Sequence, residues 1–477
     1  MRKEREFNKK TYFSRKFIFY DTLDELFIKL SSYLNDNRKL VIIVDTNIFK
    51  IYKNYFYKYI FENIDKNKDK NLNQNEDLKI NKRFIESNFL KYKKINSNLL
   101  IIKFKANEKN KSIRSAENIF KILTKIKIDK NYILIGIGGG ITLDLTGFVG
   151  ANYKRGLKTI FVPTTLLAMV DAAIGGKNGL NLYGYKNIVG TFKFPKKVLI
   201  CKWFLPTMEI KSFISGLFEI IKYGFITHDK SFFINKVVRI YFEKIFISDN
   251  FSEKNYLKKN SYFVINRIVK ENSFYNLIKT SIKIKLFFVK KDPYDRFERK
   301  ILNYGHTFGH AIEKYFKNKI EHGIAVGIGM AIILYIELKI YLLEFYLNSN
   351  DEKYINNDFI FNRFLWYIFF LFIILKILSI EKYFLEFLDK NIIKKLKILT
   401  KNKTYSKLLH YSKFFQSGFY IDLKKEKLFD VREISKLIDI IDNDKKKKSE
   451  YIELVFCYGK TKKYKKDEIL KIIDSRF

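Results

Sequence analysis

Cysteine, proline, tryptophan and methionine are scarce in this chain, at 2, 4, 2 and 4 residues of 477. Cys201 and Cys457 stand far apart in no metal or redox spacing, which excludes a disulfide framework and points to a reducing compartment. Long apolar runs are missing too. The longest charge-free aromatic run is Phe364 to Leu375, and a second run spans Gly323 to Ile336. Both fall short of the roughly 20 residues that a bilayer span needs. They are read as buried core helices, with membrane association near residue 370 as the lesser alternative. The opening MRKEREFNKKTYF has no apolar stretch behind its basic residues and is not read as a secretory signal.

Acidic residues are outnumbered: 50 Asp and Glu face 91 Lys and Arg, a formal net charge of +41. That balance invites nucleic-acid or membrane-surface binding. Apolar residues at 47% and aromatics at 17% are too many for a disordered polycation, so the chain must fold. Its length exceeds what one hydrophobic core serves, and two domains are expected. We read the excess of Lys, Ile, Asn, Phe and Tyr as the imprint of an A+T-rich coding sequence, a hypothesis that a coding region without that skew would overturn. On this reading most of the charge is background, no nucleic-acid partner is expected, and the few glycines and histidines carry the information.

No repeat of fixed period is present. Three Lys/Asn-rich stretches look like padding without chemistry: the opening to about Asn37, Asn63 to Lys82, and about Tyr241 to Asn272. Between them, Leu40 to Val44 is a β-branched run ending at Asp45. Tyr132 to Ile137 is another, leading into Gly138, Gly139 and Gly140 and a helix opening near Thr142. Thr159 to Val162 is a third, closed by Pro163. Strand, glycine turn and helix outline an α/β nucleotide-binding unit. From Glu209 the spacing turns helical, as in Ile214, Leu217, Phe218 and Ile221, and stays so to about residue 415. The expected division is therefore an α/β nucleotide-binding domain over 1–208 and an all-α domain over 209–477, the latter given its metal-binding role by the resemblance described below.

Glycines between a strand and a helix let phosphate oxygens approach backbone N–H groups at a helix N-terminus. The spacing is not G-x-G-x-x-G, so a tight turn without ligand is the competing reading. Asp144 follows one helical turn later, and Asp45 is suitably placed to accept hydrogen bonds from a ribose. Three of the five histidines fall between Asn303 and His322. His306 and His310 are four apart and share a helix face, the spacing that offers imidazoles to one metal ion, although Thr307 stands where a metalloprotease has its glutamate. Separate hydrogen-bonded histidines are the alternative. Glu219 sits among apolar neighbours in GLFEIIKYG, where a carboxylate needs a metal or a lysine beside it.

Taken in order, GGGITLDLTGFVGANYKRG, VPTTLLAMVDAAIGGKNGLN, YKNIVGTF, GLFEIIKYG, SIKIK, RKILNYGHTFGHAIE and HGIAVGIGM resemble the motifs of the 3-dehydroquinate synthases, sugar phosphate cyclases of the shikimate pathway. The resemblance covers roughly Asp45 to Met330 with gaps at the padding, and it implies a dehydroquinate synthase-like fold with substrate in the cleft between an NAD domain and a metal domain. It implies Glu219, His306 and His322 as ligands of a divalent metal, zinc before cobalt. His310 then becomes a substrate or proton-transfer residue, unlike the paired-ligand reading from spacing. NAD would be met by Asp45, Asn47, Glu108, Lys111, Gly139, Gly140, Asp144, Thr164, Thr165 and Thr207, with Lys186 near the cofactor. Substrate contacts would come from Arg155, Asp171, Lys177, Asn187, Lys222, Lys285, Arg299 and Asn303, with Lys445 or Lys446 near the phosphate.

The implied activity converts 3-deoxy-D-arabino-heptulosonate 7-phosphate to 3-dehydroquinate and phosphate by transient oxidation, phosphate elimination, re-reduction and aldol closure. A homodimer in the cytoplasm and no membrane are implied with it. Departures from the family pattern include Ala172 and Ala173 for serines, Asn107 for a glycine, Cys201 for an aspartate, Met208 and Glu209 for a Leu-Pro pair, and Pro293 for an acidic residue. None removes an implied ligand or phosphate contact, so an active enzyme is expected. Three alternatives stand beside it: another sugar phosphate cyclase, a glycerol-dehydrogenase-like oxidoreductase, and a basic nucleic-acid-binding protein that has lost catalysis.

Overall fold

The computed structural model describes residues 16–35, 38–62, 89–227, 256–317, 319–347, 435–441, 451–455 and 461–474. Lys445, Lys446, the Phe364 to Leu375 run, the Asn63 to Lys82 stretch, His228, His410 and Cys457 lie outside them. The chain divides into two compact units, Met1–Met208 with Glu271–Leu286, and Glu209–Lys270 with Phe287–Phe477.

The first unit is built on a seven-stranded sheet. Its early elements are β1 (Phe17–Tyr20), α1 (Leu23–Asn35), β2 (Leu40–Asp45), α2 (Thr46–Ile51), β3 (Leu90–Lys94), β4 (Leu99–Phe104) and α3 (Ile113–Lys125). They are followed by β5 (Ile133–Gly138), α4 (Gly140–Asn152), β6 (Lys158–Pro163), the hairpin β7 (Lys177–Leu182) and β8 (Tyr185–Phe192), and β9 (Lys197–Cys201). The strand order is β1-β9-β6-β5-β2-β4-β3, and every pairing is parallel except β3 with β4. Strands β2 and β5 read as unbroken apolar runs because both faces are covered. Helix α3 buries Ala116, Ile119, Ile122 and Leu123, a helical period, against Val41, Ile43, Leu100 and Ile102 of the sheet. The chain runs outward from β2 to β4, then returns to lay β5 on the other side of β2. The crevice at the carboxyl ends of β2 and β5 is therefore the topological switch point, where open α/β sheets take ligands.

From Phe17 to Asn35 the opening segment is not padding. Phe17 to Tyr20 adds a parallel edge strand to β9, Phe17 opposite Val198, and α1 buries Leu26, Phe27 and Leu30. Residues 271–286, expected in the helical domain, group with the first unit. The cause is on the surface of the helix they form: the Tyr275 hydroxyl donates to Tyr20 O and accepts the Lys202 backbone N–H.

The second unit contains α5 (Ile210–Ile226), α6 (Tyr256–Val269), the end of α7 (Asn272–Lys291), α8 (His306–Tyr315) and α9 (His322–Leu347), then β10 (Ile452–Val455), β11 (Thr461–Tyr464) and α10 (Lys466–Asp474). Among the described residues it is helical apart from the antiparallel ribbon of β10 and β11. Within the supposed padding, α6 buries Val264, Ile265, Ile268 and Val269. Helix α5 is buried almost all round, which explains its apolar texture. Among the described residues no helix is long and apolar enough to cross a membrane. The Gly323 to Ile336 run lies in α9 and is a core helix, as expected.

Candidate functional site

In the second unit, glycines decide where the histidines go. Gly323 donates its N–H to Ser215 Oγ at 2.9 Å, and a Cβ at Gly323 would lie 2.0 Å from Ser215 O. The start of α9 thus presses against α5 at Ser215, four residues and one helical turn before Glu219, which sets His322 beside that carboxylate. Gly305 adopts φ +79°, and a Cβ there would lie 2.5 Å from Met330 Cγ. That left-handed turn starts α8 against α9 and brings His306 to the same place.

Glu219 and Lys222 are fully buried on one face of α5, and the Lys222 ammonium donates to Glu219 Oε2. Glu219 Oε1 is buried and finds no hydrogen-bond partner among the described residues. His306 Nε2 faces it at 3.7 Å and His322 Nε2 at 4.0 Å, both too far to hydrogen-bond. The three residues offer ligand atoms within 4.8 Å of one another. His306 Nδ1 lies 3.2 Å from Tyr304 O, so the proton belongs on Nδ1 and the Nε2 lone pair turns toward Glu219. Burial, then the charge of Lys222, holds the His306 pKa well below 6.5, so the ring stays neutral. His322 Nδ1 lies 3.3 Å from Glu313 Oε2, a buried carboxylate that orients it likewise. A buried carboxylate oxygen without a partner, met by two imidazole nitrogens, fits a divalent cation of the zinc or cobalt type. His310, exposed one turn along α8, stacks on His322 with ring centroids 5.8 Å apart and lies 5.6 Å from the His306 ring. Helical spacing thus brought His306 and His310 together, but the carboxylate-centred group takes His322 instead of His310.

In the first unit, Gly139 caps α4 in extended conformation, and the β5–α4 turn is closed by Thr164 N–H donating to Gly138 O at 3.0 Å. A Cβ at Gly138 would lie 2.6 Å from Thr142 Oγ1, so close packing as well as access requires glycine there. Asp45 ends β2 and accepts the Asn47 N–H at 2.8 Å; burial raises its carboxyl pKa. Lys111 is buried, with Nζ 2.6 Å from Asp144 Oδ2 and donating to Asn187 Oδ1 at 2.7 Å. Burial raises the Asp144 pKa, and Lys111 opposes that shift. Lys285 donates to Asp171 Oδ1 at 2.6 Å and to Asp171 O at 2.7 Å.

The 3-dehydroquinate synthase N-terminal family model matches residues 101–215, and the C-terminal family model matches residues 216–355. A 3-dehydroquinate synthase from Chlamydia pneumoniae is 35% identical over 292 residues, 61% of this chain and 70% of that protein. The chain belongs to the 3-dehydroquinate synthase family. One from Pyrococcus furiosus is 40% identical over 227 residues, 47% of this chain and 58% of that protein. The chain thus spans less than two thirds of that second relative. A solved 2-deoxy-scyllo-inosose synthase shares the fold, with a TM-score of 0.54 and 18% identity over 96% of this chain and 95% of that one.

Arg155, Lys177, Lys186 and Glu108 are exposed, and Arg155 sits in a left-handed turn at φ +60°. Thr164 is buried with Oγ1 lacking a hydrogen-bond partner among the described residues, and Thr165 Oγ1 accepts the Ala168 N–H at 3.2 Å. Thr207 Oγ1 lies 3.1 Å from the Tyr52 hydroxyl. Arg299 is buried, donating to Pro293 O at 2.9 Å, and Asn303 is half-buried at the end of the same short segment. Sequence reasoning missed Glu313 and Asn181. Glu313 lies in the GHAIE string, three residues after His310 on the same helix face, which was a usable signal. Asn181 ends the KNGLN string and carried none.

Proposed function

We propose that this chain is a 3-dehydroquinate synthase, a carbon–oxygen lyase that converts 3-deoxy-D-arabino-heptulosonate 7-phosphate to 3-dehydroquinate and inorganic phosphate. One observation carries the reading within this family: Glu219 Oε1 is buried without a hydrogen-bond partner while two imidazole nitrogens face it. A divalent metal there would favour loss of a substrate hydroxyl proton, and NAD would take up and return one hydride, so the net reaction is not an oxidation. The 2-deoxy-scyllo-inosose synthase of similar fold is described as complexed with NAD+ and Co2+, which supports the pairing.

The chain's own residues have separable tasks. Glu219, His306 and His322 hold the metal, and Lys222 balances Glu219 so that the ligand set stays intact when empty. Gly139 and Gly140 leave the α4 N-terminus open to a pyrophosphate. Asp45, Asn47, Glu108, Lys111, Asp144, Thr164, Thr165, Lys186 and Thr207 bind the rest of NAD. Arg155, Lys177, Asn187 and Lys285 hold the substrate phosphate, so that the departing group can itself accept the proton being removed. Asp171 is set by Lys285, Lys222, Arg299 and Asn303 meet the substrate, and His310 moves protons. The same reading carries a homodimer in the cytoplasm, which sedimentation and cell fractionation test.

Phosphate release from the heptulosonate phosphate with NAD present is the assay. Release should stop with a chelator and with His306→Ala. No release, or release indifferent to both changes, overturns the proposal. Turnover of a different sugar phosphate in its place would assign another cyclase.

A further inference from the structure

Asn181 is half-buried near the end of β7 and belongs to none of the residue sets above. The β7–β8 ladder is irregular there: Leu180 pairs with Val189 and Leu182 with Tyr185, and the register shifts between them. Such irregularities release a residue from the ladder and re-aim its side chain. The released groups reach two segments. The Asn181 backbone N–H donates to Lys111 O at 2.8 Å. Its Nδ2 donates to Glu108 Oε1 at 2.7 Å and to Glu108 O at 3.2 Å. Its Oδ1 accepts the Asn187 N–H at 2.9 Å, at a residue held in the left-handed region at φ +53°. Asn187 in turn receives Lys111 Nζ, which also pairs with Asp144.

We propose that Asn181 is a positioning residue that fixes Glu108, Lys111 and Asn187 in one arrangement before cofactor and substrate arrive. The proposal rests on the reading that Glu108 and Lys111 meet NAD and Asn187 meets substrate. The amide orientation follows from its partners, since Glu108 offers only acceptors and the Asn187 backbone only a donor. An alanine leaves both sides unmet. An aspartate keeps the acceptor for Asn187 but sets a carboxylate oxygen against Glu108 Oε1.

The test measures NAD affinity by calorimetry on the metal-loaded full chain, together with KM for the sugar phosphate, for Asn181→Ala, Asn181→Asp, Glu108→Gln, the double variant and Lys111→Ala. Losing the Asn181 bonds should weaken NAD about tenfold, the size of one net hydrogen bond to a charged group. Asn181→Asp should cost about fivefold less in the Glu108→Gln background than in the native one, because the introduced amide can donate to the introduced carboxylate. A residue that merely supports the fold gives equal losses in both backgrounds, and that result overturns the proposal. So does an Asn181→Ala protein with NAD affinity and KM within twofold of native while Lys111→Ala weakens NAD. If Lys111→Ala also binds NAD normally, the cofactor assignment itself is wrong and the proposal falls with it, a failure distinct from the first two.

Discussion

Replacing Lys222 by methionine isolates the charge balance at the heart of the second unit. The side chain is apolar and one heavy atom shorter, so packing is nearly kept, but Glu219 loses the only cation that donates to it among the described residues, and it has no exposure to water. Breaking one partner of a buried ion pair costs about 3–5 kcal/mol. Saturating zinc supplies the missing positive charge and should shrink that cost. Chemical unfolding of native and Lys222→Met protein, metal-free and zinc-loaded at pH 7, reads the difference. A loss below about 1 kcal/mol in the metal-free protein, or the same loss in both conditions, would refute the claim that Lys222 holds a buried carboxylate ready for metal.

Three further outcomes are expected. Glu313→Gln should lower zinc affinity about 10–100-fold, with activity recovered by excess zinc, since it loosens the grip on His322 without removing a ligand; unchanged zinc affinity in a dialysis competition would contradict it. In chelated protein, His306 kept neutral by burial contributes stability that is present above the unfolded pKa of about 6.5 and is lost below it, at about 1.4 kcal/mol per pH unit; His306→Asn should remove that slope from the pH dependence of unfolding. Gly138→Ala should cost about 1–3 kcal/mol by overpacking, because its Cβ would lie 2.6 Å from Thr142 Oγ1 and 2.7 Å from Thr142 Cβ; a thermal melt that matches the native protein's would contradict it.

Strands β2, β5 and β6 were legible in the sequence because each is a buried parallel strand and therefore an unbroken apolar run. The glycine turn was legible for a related reason: close approach of α4 to β5 tolerates no side chain. What escaped notice depends on partners distant in sequence. Phe17 to Tyr20 is a strand only because β9 lies beside it, 181 residues later in register, Phe17 opposite Val198, and its own Lys-rich flank reads as solvated. Residues 271–286 have a helical pattern, but the pattern does not say that Tyr275 will bond Tyr20 and so join the first unit. Helical spacing paired His306 with His310 correctly in space. It could not reveal that Gly323, pressed on Ser215, delivers His322 to Glu219. The lysines were the least readable of all, since 91 basic residues drown any single one. Lys111 and Lys285 stand out only because burial and the carboxylates of Asp144 and Asp171 set them apart.

The +41 charge bears on the same point. Both NAD and the heptulosonate phosphate are anions, so a strong positive field should speed their capture at low ionic strength; association rates that do not fall with added salt would contradict it.

The central claim is that NAD is used and regenerated within each turnover at a metal held by Glu219, His306 and His322. The most direct test follows phosphate release and NADH absorbance together, with substrate in large excess over NAD, in native protein and in Glu219→Gln. The account predicts many phosphates released per NAD with no net NADH from the native protein, and neither signal from the variant. NADH accumulating in step with substrate consumed, or undiminished phosphate release from Glu219→Gln, would contradict it.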